Sequence, residues 1–367
     1  MVKKGENIYK RKDNRWEGRY IKNRKKDGSI HYGYLYSKNY NELKRELIIL
    51  KAKNYEEFEF NNEREDVLFL YWAEHWISTI KKKLKLSTYT SYRYKMEKYI
   101  IPHFGKYELE AITTHQVESW KKNMMSSLSV SSIKVVIQIL NKCMSEAVEK
   151  KLLKINPCKE CRSIKSMHTG NAHLSYENHH KLRNLAYSDK NGLAIALALE
   201  SGLRIGEIAG LKWKDINFED STLSIKRTIQ RIYSYDESRE NKTHIIEGSP
   251  KSSSSYRTIP ISPQMLSCLF CSSCKIPSNY VFGSEKPSEP RKISKWLKKI
   301  CKGNNLEYVH FHELRHSFAN RCLEGGVSIT TTSELLGHRS VKMTLDMYSH
   351  SSMTEKRKAI EILQFDK

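Results

Sequence analysis

The sequence predicts a multidomain chain that is mainly α-helical and carries small β-sheets. Its 367 residues exceed what one ordinary hydrophobic core supports, so two or three domains are expected. The first part of the chain alternates apolar and polar side chains between turn residues, a pattern typical of strands. Farther along, apolar residues recur at helical spacing, and helical and strand patterns are mixed in the second half.

Residues 1–58 are predicted to form a three-stranded sheet followed by a helix. Strands are expected at Ile8–Arg11, Trp16–Arg24 and Ile30–Ser37, and the helix over Tyr40–Ala52. Residues 1–60 hold 16 Lys or Arg against 9 Asp or Glu, and a basic sheet can lie in a DNA groove. A sheet that only packs on the next domain is the alternative. The candidate DNA contacts are Arg11, Arg15, Trp16, Arg19, Lys22, Arg24 and Lys25.

Residues 65–157 are predicted to be a helical domain that follows an acidic, polar linker. Leu68, Trp72 and Trp76 recur at intervals of four and therefore share one helix face. One helix is expected to end before Pro102, and a long one to begin at Ser129. Exposed lysines would suit a clamp around duplex DNA, but an inert bundle is equally compatible with the pattern.

Composition limits the class of partner and the compartment. The chain has 64 Lys or Arg against 41 Asp or Glu, a net charge of +23 that attracts polyanions. With no signal peptide or membrane-length apolar run, a cytoplasmic protein without a membrane partner is expected. Cys158-x-x-Cys161 and Cys271-x-x-Cys274 have metal-ligand spacing but lie far apart in the chain, so ordinary thiols and no metal are expected.

Residues 172–367 carry a set of side chains that suits phosphoryl transfer. Arginine forks and histidine donors can neutralise a phosphate that gains charge, and a tyrosine hydroxyl can attack it. Two of these residues, His312 and Arg315, are three positions apart and therefore share one helix face. The set consists of Gly202-Leu203-Arg204, His312-Glu313-Leu314-Arg315-His316, Leu336-Gly337-His338 and Tyr348.

Two members of this half also have less specific interpretations. Arg204 alone could be a surface arginine that pairs with Glu207, and His316 could be a structural histidine that hydrogen-bonds the backbone. We therefore treat His316 and Glu207 as supporting residues. A helix from Ser340 through Met347 would place Tyr348 at its end.

The ordered set resembles the tyrosine recombinase family of phage and conjugative-element integrases, from about Ala172 to about His350. The resemblance implies an α+β catalytic domain in which Tyr348 attacks a DNA phosphodiester and forms a 3′-phosphotyrosyl intermediate. It implies that the four residues Arg204, His312, Arg315 and His338 bind and stabilise the reacting phosphate. Because the covalent intermediate keeps the bond energy, no cofactor is expected.

The same resemblance implies a general acid on a β-hairpin. The segment Pro250-Lys251-Ser252 matches the position of the family's lysine, so Lys251 is expected to protonate the departing 5′ oxygen. Lys242 and Arg257 lie close enough in sequence to be confused with it.

Domain roles and partners follow from the resemblance as well. Residues 1–58 resemble an arm-site-binding domain, and residues 65–157 occupy the place of a core-site-binding domain. Double-stranded DNA with core-type and arm-type sites, a homo-tetramer on that DNA, an excisionase and a host DNA-bending protein are the expected partners. Nucleoid association is expected when DNA is bound.

Two alternatives from other classes remain open on the sequence alone. A catalytically inactive DNA-binding regulator could use the same scaffold. A zinc protease could use His312-Glu313-x-x-His316, with Glu334 as a third ligand, but that reading leaves Arg204, Lys251 and Tyr348 without a role.

Overall fold

The structure is a computed structural model that describes residues 7–24, 30–40, 42–44, 46, 47, 50, 67–162, 174–235, 241–250, 253–273 and 279–348. At 21–24, 30, 253 and 346–348 the description covers the backbone alone. The chain divides into two compact units, residues 1–167 and 168–367. Within the described ranges, no helix is both long and apolar enough to cross a bilayer.

The first unit begins with an antiparallel sheet in the order β1-β2-β3. Its strands are β1 (Ile8–Lys10), β2 (Trp16–Arg24) and β3 (Ile30–Ser37), which confirms the predicted strands to within one residue. Those residues between 40 and 50 that the structure describes are helical. Ile8, Leu43 and Leu47 form a small core between the sheet and this helix. One face of the sheet is therefore covered by the helix.

The rest of the first unit is helical and has its own core, which contains the predicted Trp72 and Trp76. Thr113 and Ser129 cap the last two helices by accepting a hydrogen bond from a backbone N–H, as the capping residue types predict. The helices are α1 (Phe69–Ile80), α2 (Leu86–Lys95), α3 (Ile101–Phe104), α4 (Thr114–Met124) and α5 (Val130–Glu149).

The expected helix end before Pro102 is wrong. Helix α2 continues through a π-helical turn, Met96–Ile100, directly into α3. Pro102 is the second residue of α3 and directly follows the π-helical turn, so its missing N–H falls where the α-helical hydrogen-bond pattern is already interrupted. The proline therefore lies within the rod without ending it.

The second unit packs helices around two small antiparallel sheets. Its core surrounds the apolar helix α7, and strands pair in the order β4-β5-β8, with β6-β7 as a separate hairpin. The helices are α6 (Tyr176–Ser188), α7 (Leu193–Ser201), α8 (Ile205–Ala209), α9 (Pro263–Ser273), α10 (Pro290–Gly303), α11 (Phe311–Glu324), α12 (Ile329–Leu336) and α13 (Val341–Tyr348). The strands are β4 (Ile216–Asn217), β5 (Thr222–Ile225), β6 (Thr228–Tyr233), β7 (Thr243–Gly248) and β8 (Arg257–Pro260). The predicted fold class, mainly helical with small sheets, is confirmed.

Candidate active site

Gly202 forms the junction at which three helices of the second unit meet. It ends α7 in a left-handed conformation, with φ of 62°. A Cβ at this position would lie 2.5 Å from the Phe318 ring and 2.7 Å from a Leu336 methyl group. Only glycine combines this φ with such close neighbours at little cost. The Gly-Leu-Arg motif therefore brings Arg204 next to α11 and α12.

Arg204 is held by a buried carboxylate that a second arginine shares. Its Nη1 donates to Glu207 Oε1 at 2.8 Å, and its backbone N–H donates to Oε2 at 3.0 Å. Arg257 Nη2 donates to the same Oε2 at 3.1 Å. Burial acts to raise the pKa of Glu207, but the charges of Arg257 and Arg204 outweigh it and lower that pKa. The carboxylate is therefore ionised, and it fixes both guanidinium groups.

The pairing of Arg204 with Glu207 was the basis of the surface-arginine interpretation. The pair is present, yet Glu207 is only 4 % exposed, whereas a third of the Arg204 side chain, 34 %, stays accessible. The ion pair therefore orients an arginine whose outer edge can still reach an anion, so pairing and phosphate binding do not exclude each other.

Arg315 and His312 lie on neighbouring turns of α11, as predicted. Arg315 is buried, and its Nη1 donates to the Gly202 carbonyl at 2.9 Å. His312 lies at the surface, with its ring perpendicular to that of His316 and 4.7 Å from it. Partial burial, then the charges of Arg315 and Arg204, lower the pKa of His312. The two arginines therefore lie close enough to act on this histidine.

His338 follows Gly337, which ends α12 in the left-handed region with φ of 65°. Its Nδ1 lies 2.8 Å from Thr344 Oγ1 on α13. Burial, then the charges of Arg315, Arg204 and Arg257, lower the pKa of His338 to about 4. The imidazole is thus neutral at pH 7. When the Thr344 hydroxyl donates to Nδ1, the ring proton is on Nε2, from which it can be donated to a phosphate oxygen.

Tyr348 is the last residue of α13, the same helix that provides Thr344. The helix begins at Val341, three residues after His338, so the segment that carries the tyrosine is tied to the histidine. The Tyr348 side chain lies outside the described residues, and its role stays a prediction. The predicted helix from Ser340 onward is confirmed.

The structure bears on two of the three candidates for the general acid, Lys242 and Arg257. Lys251 lies outside the described residues. Lys242 precedes β7, roughly 20 Å from the Gly248 end of that strand. The Gly248 end is the one near α8, because Thr228, its partner, contacts Gly206. Arg257 is bonded to acceptors, and an arginine does not release its proton in a protein. Lys251 stays the predicted acid.

Arg257 and Thr344 are two members of the site that sequence reasoning did not include. Arg257 was considered only as a rival of Lys251. A signal was present, because Arg257 and Ile259 are two positions apart in a strand and therefore point to the same face. Ile259 faces the core, so an arginine beside it requires a buried acceptor. Thr344 gave no such signal.

Known proteins resemble both units of the chain. The model described as the phage integrase family matches residues 171–355, about half of the 367 residues. The model described as the phage integrase N-terminal SAM-like domain matches residues 68–142. The chain belongs to the phage integrase family. The predicted tyrosine recombinase, an enzyme that exchanges DNA strands, is confirmed with it.

Individual members of the family cover most of the chain. A XerC-like tyrosine recombinase of Caldanaerobacter subterraneus is 28 % identical over 280 residues, which are 70 % of this chain and 72 % of that protein. The ICEBs1 integrase of Bacillus subtilis is 25 % identical over 325 residues, 84 % of this chain and 86 % of the relative.

Solved integrases share the fold at lower sequence identity. The Tn1549 transposon integrase, solved in complex with a circular intermediate DNA, has a TM-score of 0.67 at 18 % identity; the match covers 80 % of this chain and 99 % of the solved one. A lambda integrase dimer bound to a core site has a TM-score of 0.60 at 20 % identity, over 93 % of this chain and 94 % of the solved one.

This phage integrase family member offers no zinc centre in the part that the structure describes. There, no three His, Cys, Asp or Glu side chains converge so that they could hold a metal ion. Glu313 instead accepts a hydrogen bond from the His310 N–H at 2.8 Å and so caps α11. The zinc-protease alternative therefore lacks a third ligand among these residues, and Cys158 and Cys161 have no such partner set either.

In the N-terminal sheet the predicted DNA contacts divide between the two faces. Arg11 and Arg15 lie over the Tyr36 ring at 5.2 and 5.6 Å, and Arg19 lies over Tyr32 at 4.4 Å. These arginines belong to the face that the helix leaves open. Trp16 packs against the small core on the covered face, where it meets the Tyr40 ring at 4.9 Å.

The covered position of Trp16 gives it a structural role that the sequence did not predict. Lys22 and Arg24 are described by backbone alone in β2, and Lys25 lies outside the described residues. Of the predicted DNA contacts, Arg11, Arg15 and Arg19 are therefore the ones that the structure shows on the open face.

Proposed function

We propose that this recombinase integrates and excises a mobile element through a phosphotyrosyl intermediate built at the Arg204, Arg315 and His338 site. The observation that carries the proposal is the meeting of α7, α11 and α12 at Gly202, next to the helix on which Tyr348 lies. Two guanidinium groups and a neutral imidazole at one place suit a phosphate that gains negative charge in its transition state.

The step that we propose transfers a phosphoryl group without net loss of bond energy. The Tyr348 hydroxyl gives up its proton to a base as its oxygen attacks the scissile phosphorus; the bond to the 5′ oxygen breaks, and a 3′-phosphotyrosyl link forms. Lys251 would supply the proton that the 5′ oxygen requires. The 5′ hydroxyl of the partner strand then attacks the phosphotyrosine and releases Tyr348, so no nucleotide hydrolysis is needed.

Two arginines and two histidines would bind the phosphate and stabilise its transition state. Arg315 and Arg204 would bind its non-bridging oxygens, because each guanidinium is already directed by a fixed acceptor. His312 and His338 would donate from neutral rings, which the lowered pKa values of both imidazoles favour. Preorganised donors of this kind need no rearrangement when charge develops.

For the whole chain we propose three domains that act together on double-stranded DNA. Residues 1–58 would bind arm-type sites, residues 65–157 core-type sites, and residues 172–367 would cut and rejoin. The net charge of +23 favours such a substrate. Structures of lambda integrase include a dimer on a core site and a tetramer on a Holliday junction; we propose a homo-tetramer here too.

Accessory partners and the setting follow from the proposed reaction. The relatives named ICEBs1 integrase and Tn1549 integrase support a mobile element as the substrate. An excisionase and a host DNA-bending protein would then bias the direction of recombination. Chromosomal DNA as a target agrees with a cytoplasmic protein that associates with the nucleoid.

The test is the capture of the covalent intermediate. The full chain is incubated with a nicked suicide duplex in which the two ends of the mobile element that encodes this protein are joined. The products are run on a denaturing gel. We expect a protein–DNA adduct with the wild type that persists in EDTA, and none with Tyr348→Phe. Binding without any adduct would instead favour the inactive regulator, and an adduct formed by Tyr348→Phe would move the nucleophile elsewhere.

A further inference from the structure

Arg257 lies where three segments of the second unit come together. It opens β8, and its side chain is only 7 % exposed. Its Nε donates to the Leu335 carbonyl at 2.7 Å, and its two terminal nitrogens reach Glu207. Nη1 also donates to the Ser255 carbonyl at 3.2 Å. One guanidinium thus binds a carboxylate on α8, the end of α12 and its own hairpin.

Two residues of the proposed phosphate site depend on the atoms that Arg257 binds. Glu207 is the carboxylate that directs Arg204. Leu335 lies two residues before Gly337, and the Gly337 turn leads to His338. A Cβ on Gly337 would come within 2.9 Å of Arg257 Nη1, so the turn packs directly against the guanidinium.

We propose that Arg257 is a positioning residue for DNA cleavage, which acts through Glu207 on Arg204 and through Leu335 on the turn before His338. This inference rests on the proposed function of the site. Arg257 itself contacts no reacting atom in this role. It makes the direction of Arg204 depend on β8, the strand that follows the segment with Lys251.

The geometry requires an arginine rather than any cation. Three nitrogen atoms at fixed angles satisfy two carboxylate oxygens and two backbone carbonyls at once, whereas a lysine has one ammonium on a flexible chain. Arg257→Lys therefore keeps the charge but cannot keep all the bonds. Misplacement of a reacting group by about 1 Å can cost on the order of 100-fold in rate. We expect about a 30-fold loss from a partial shift of Arg204.

The experiment is a double-mutant cycle on single-turnover cleavage. Rates are measured with saturating protein on the suicide duplex for wild type, Arg257→Lys, Glu207→Gln and the double variant. Because both residues act through the same link, the double variant should cleave within about threefold of the slower single variant. DNA affinity, measured in the Tyr348→Phe background, should change by less than about twofold, because the phosphate contacts that dominate binding remain.

The chain offers a matched control pair in the same unit. Arg227 forms a buried ion pair with Asp215, and its Nη1 also donates to the Gly210 carbonyl at 3.2 Å. The effects of Arg227→Lys and Asp215→Asn on the melting temperature should be non-additive in the double variant. Their cleavage rates at saturation should stay within about twofold of wild type, because these bonds hold the fold without directing Arg204.

The outcomes separate this inference from the proposed function. If wild type forms no adduct, the proposed function fails. If wild type cleaves but Arg257→Lys keeps its rate within about twofold, or if the two pairs affect rate equally, Arg257 is only structural and the inference is overturned. Rate losses that multiply in the Arg257 and Glu207 double variant would overturn it as well, because the two residues would then act independently.

Discussion

Two arginine side chains of the second unit are buried, whereas two of the N-terminal sheet are exposed. Arg315 and Arg257 are almost fully buried, and each donates to a fixed backbone carbonyl. Arg11 and Arg15 are exposed, lie over the Tyr36 ring, and pair with acidic neighbours on the surface. The first group has its direction set by the fold, whereas the second can change direction at low cost.

The difference between the two groups of arginines distinguishes a need for fixed geometry from a need for positive charge alone. Burying a guanidinium is unfavourable unless its donors are satisfied, so the second unit uses the Glu207 carboxylate and several carbonyls to hold its arginines. That cost is acceptable where a transition state must be met at defined distances. A surface that only follows a phosphate backbone needs no such fixation, and solvated arginines on aromatic rings suffice. Substitution by lysine, which keeps charge but loses geometry, therefore tests the distinction directly.

The largest effect is expected for Arg315→Lys. The lysine keeps one positive charge but loses the fork whose Nη1 is anchored on the Gly202 carbonyl. Single-turnover cleavage of the suicide duplex should fall by about 100-fold or more, as when one preorganised donor is lost. Affinity for the same duplex should change by less than about threefold. A variant that cleaves at the wild-type rate would remove the proposed distinction between fixed and exposed arginines.

Much of this site was predictable because its signals are local. Gly202 and Gly337 end helices at the expected positions, and the spacing of His312 and Arg315 placed them on one helix face. The last helix before Tyr348 was also expected from its cap and length. Each of these features depends on residues within a few positions of each other, so periodicity and capping rules suffice.

The parts that were not predicted depend on contacts between distant segments. Arg257 meets a carboxylate 50 positions away, and His179 meets Ser317 across 138 positions. No local pattern specifies such partners. The packing of Trp16 against the small core was not predicted either, because a tryptophan in a basic strand suits a DNA contact and a core equally well. Pro102 does not end the helix because the π-helical turn before it already changes the hydrogen-bond pattern, so that the rod can include a residue without an N–H.

Acid should weaken the second unit through its buried histidines. His179, whose Nδ1 lies 2.7 Å from Ser317 Oγ, is buried, and that burial, followed by the charge of Arg321, lowers its pKa from 6.5 to about 4. His338 has a pKa lowered to about 4 as well. Between pH 6.5 and 4 the unfolded chain binds protons that the folded chain does not, so stability is lost as pH falls.

The measurement compares urea unfolding at pH 7 and pH 5. Each histidine should contribute about 2 kcal/mol to the loss. His179→Gln retains a hydrogen-bonding side chain but cannot take up the proton, so it should lose about 2 kcal/mol less than wild type. His31→Gln is the matched control, because His31 is exposed on the N-terminal sheet. An equal loss in wild type and His179→Gln would show that the buried ring does not control this pH dependence.

The smallest effect is expected for Arg15→Lys on the open face of the sheet. Among the residues that the structure describes, Asp13 at 2.8 Å and the Tyr36 ring hold the exposed Arg15 side chain, so a lysine can present the same charge to a phosphate. For Arg15→Lys, the affinity for duplexes that carry the proposed arm-type sites near the ends of the element should change by less than about threefold. Arg15→Ala should reduce the slope of log affinity against log salt by about one, because one phosphate contact is lost. Lys190→Ala, which removes an exposed cation outside the sheet, should leave that slope unchanged. If Arg15→Lys weakened binding as strongly as Arg15→Ala, the sheet would be reading the geometry of its target as well as its charge, and its arginines would resemble those of the active site.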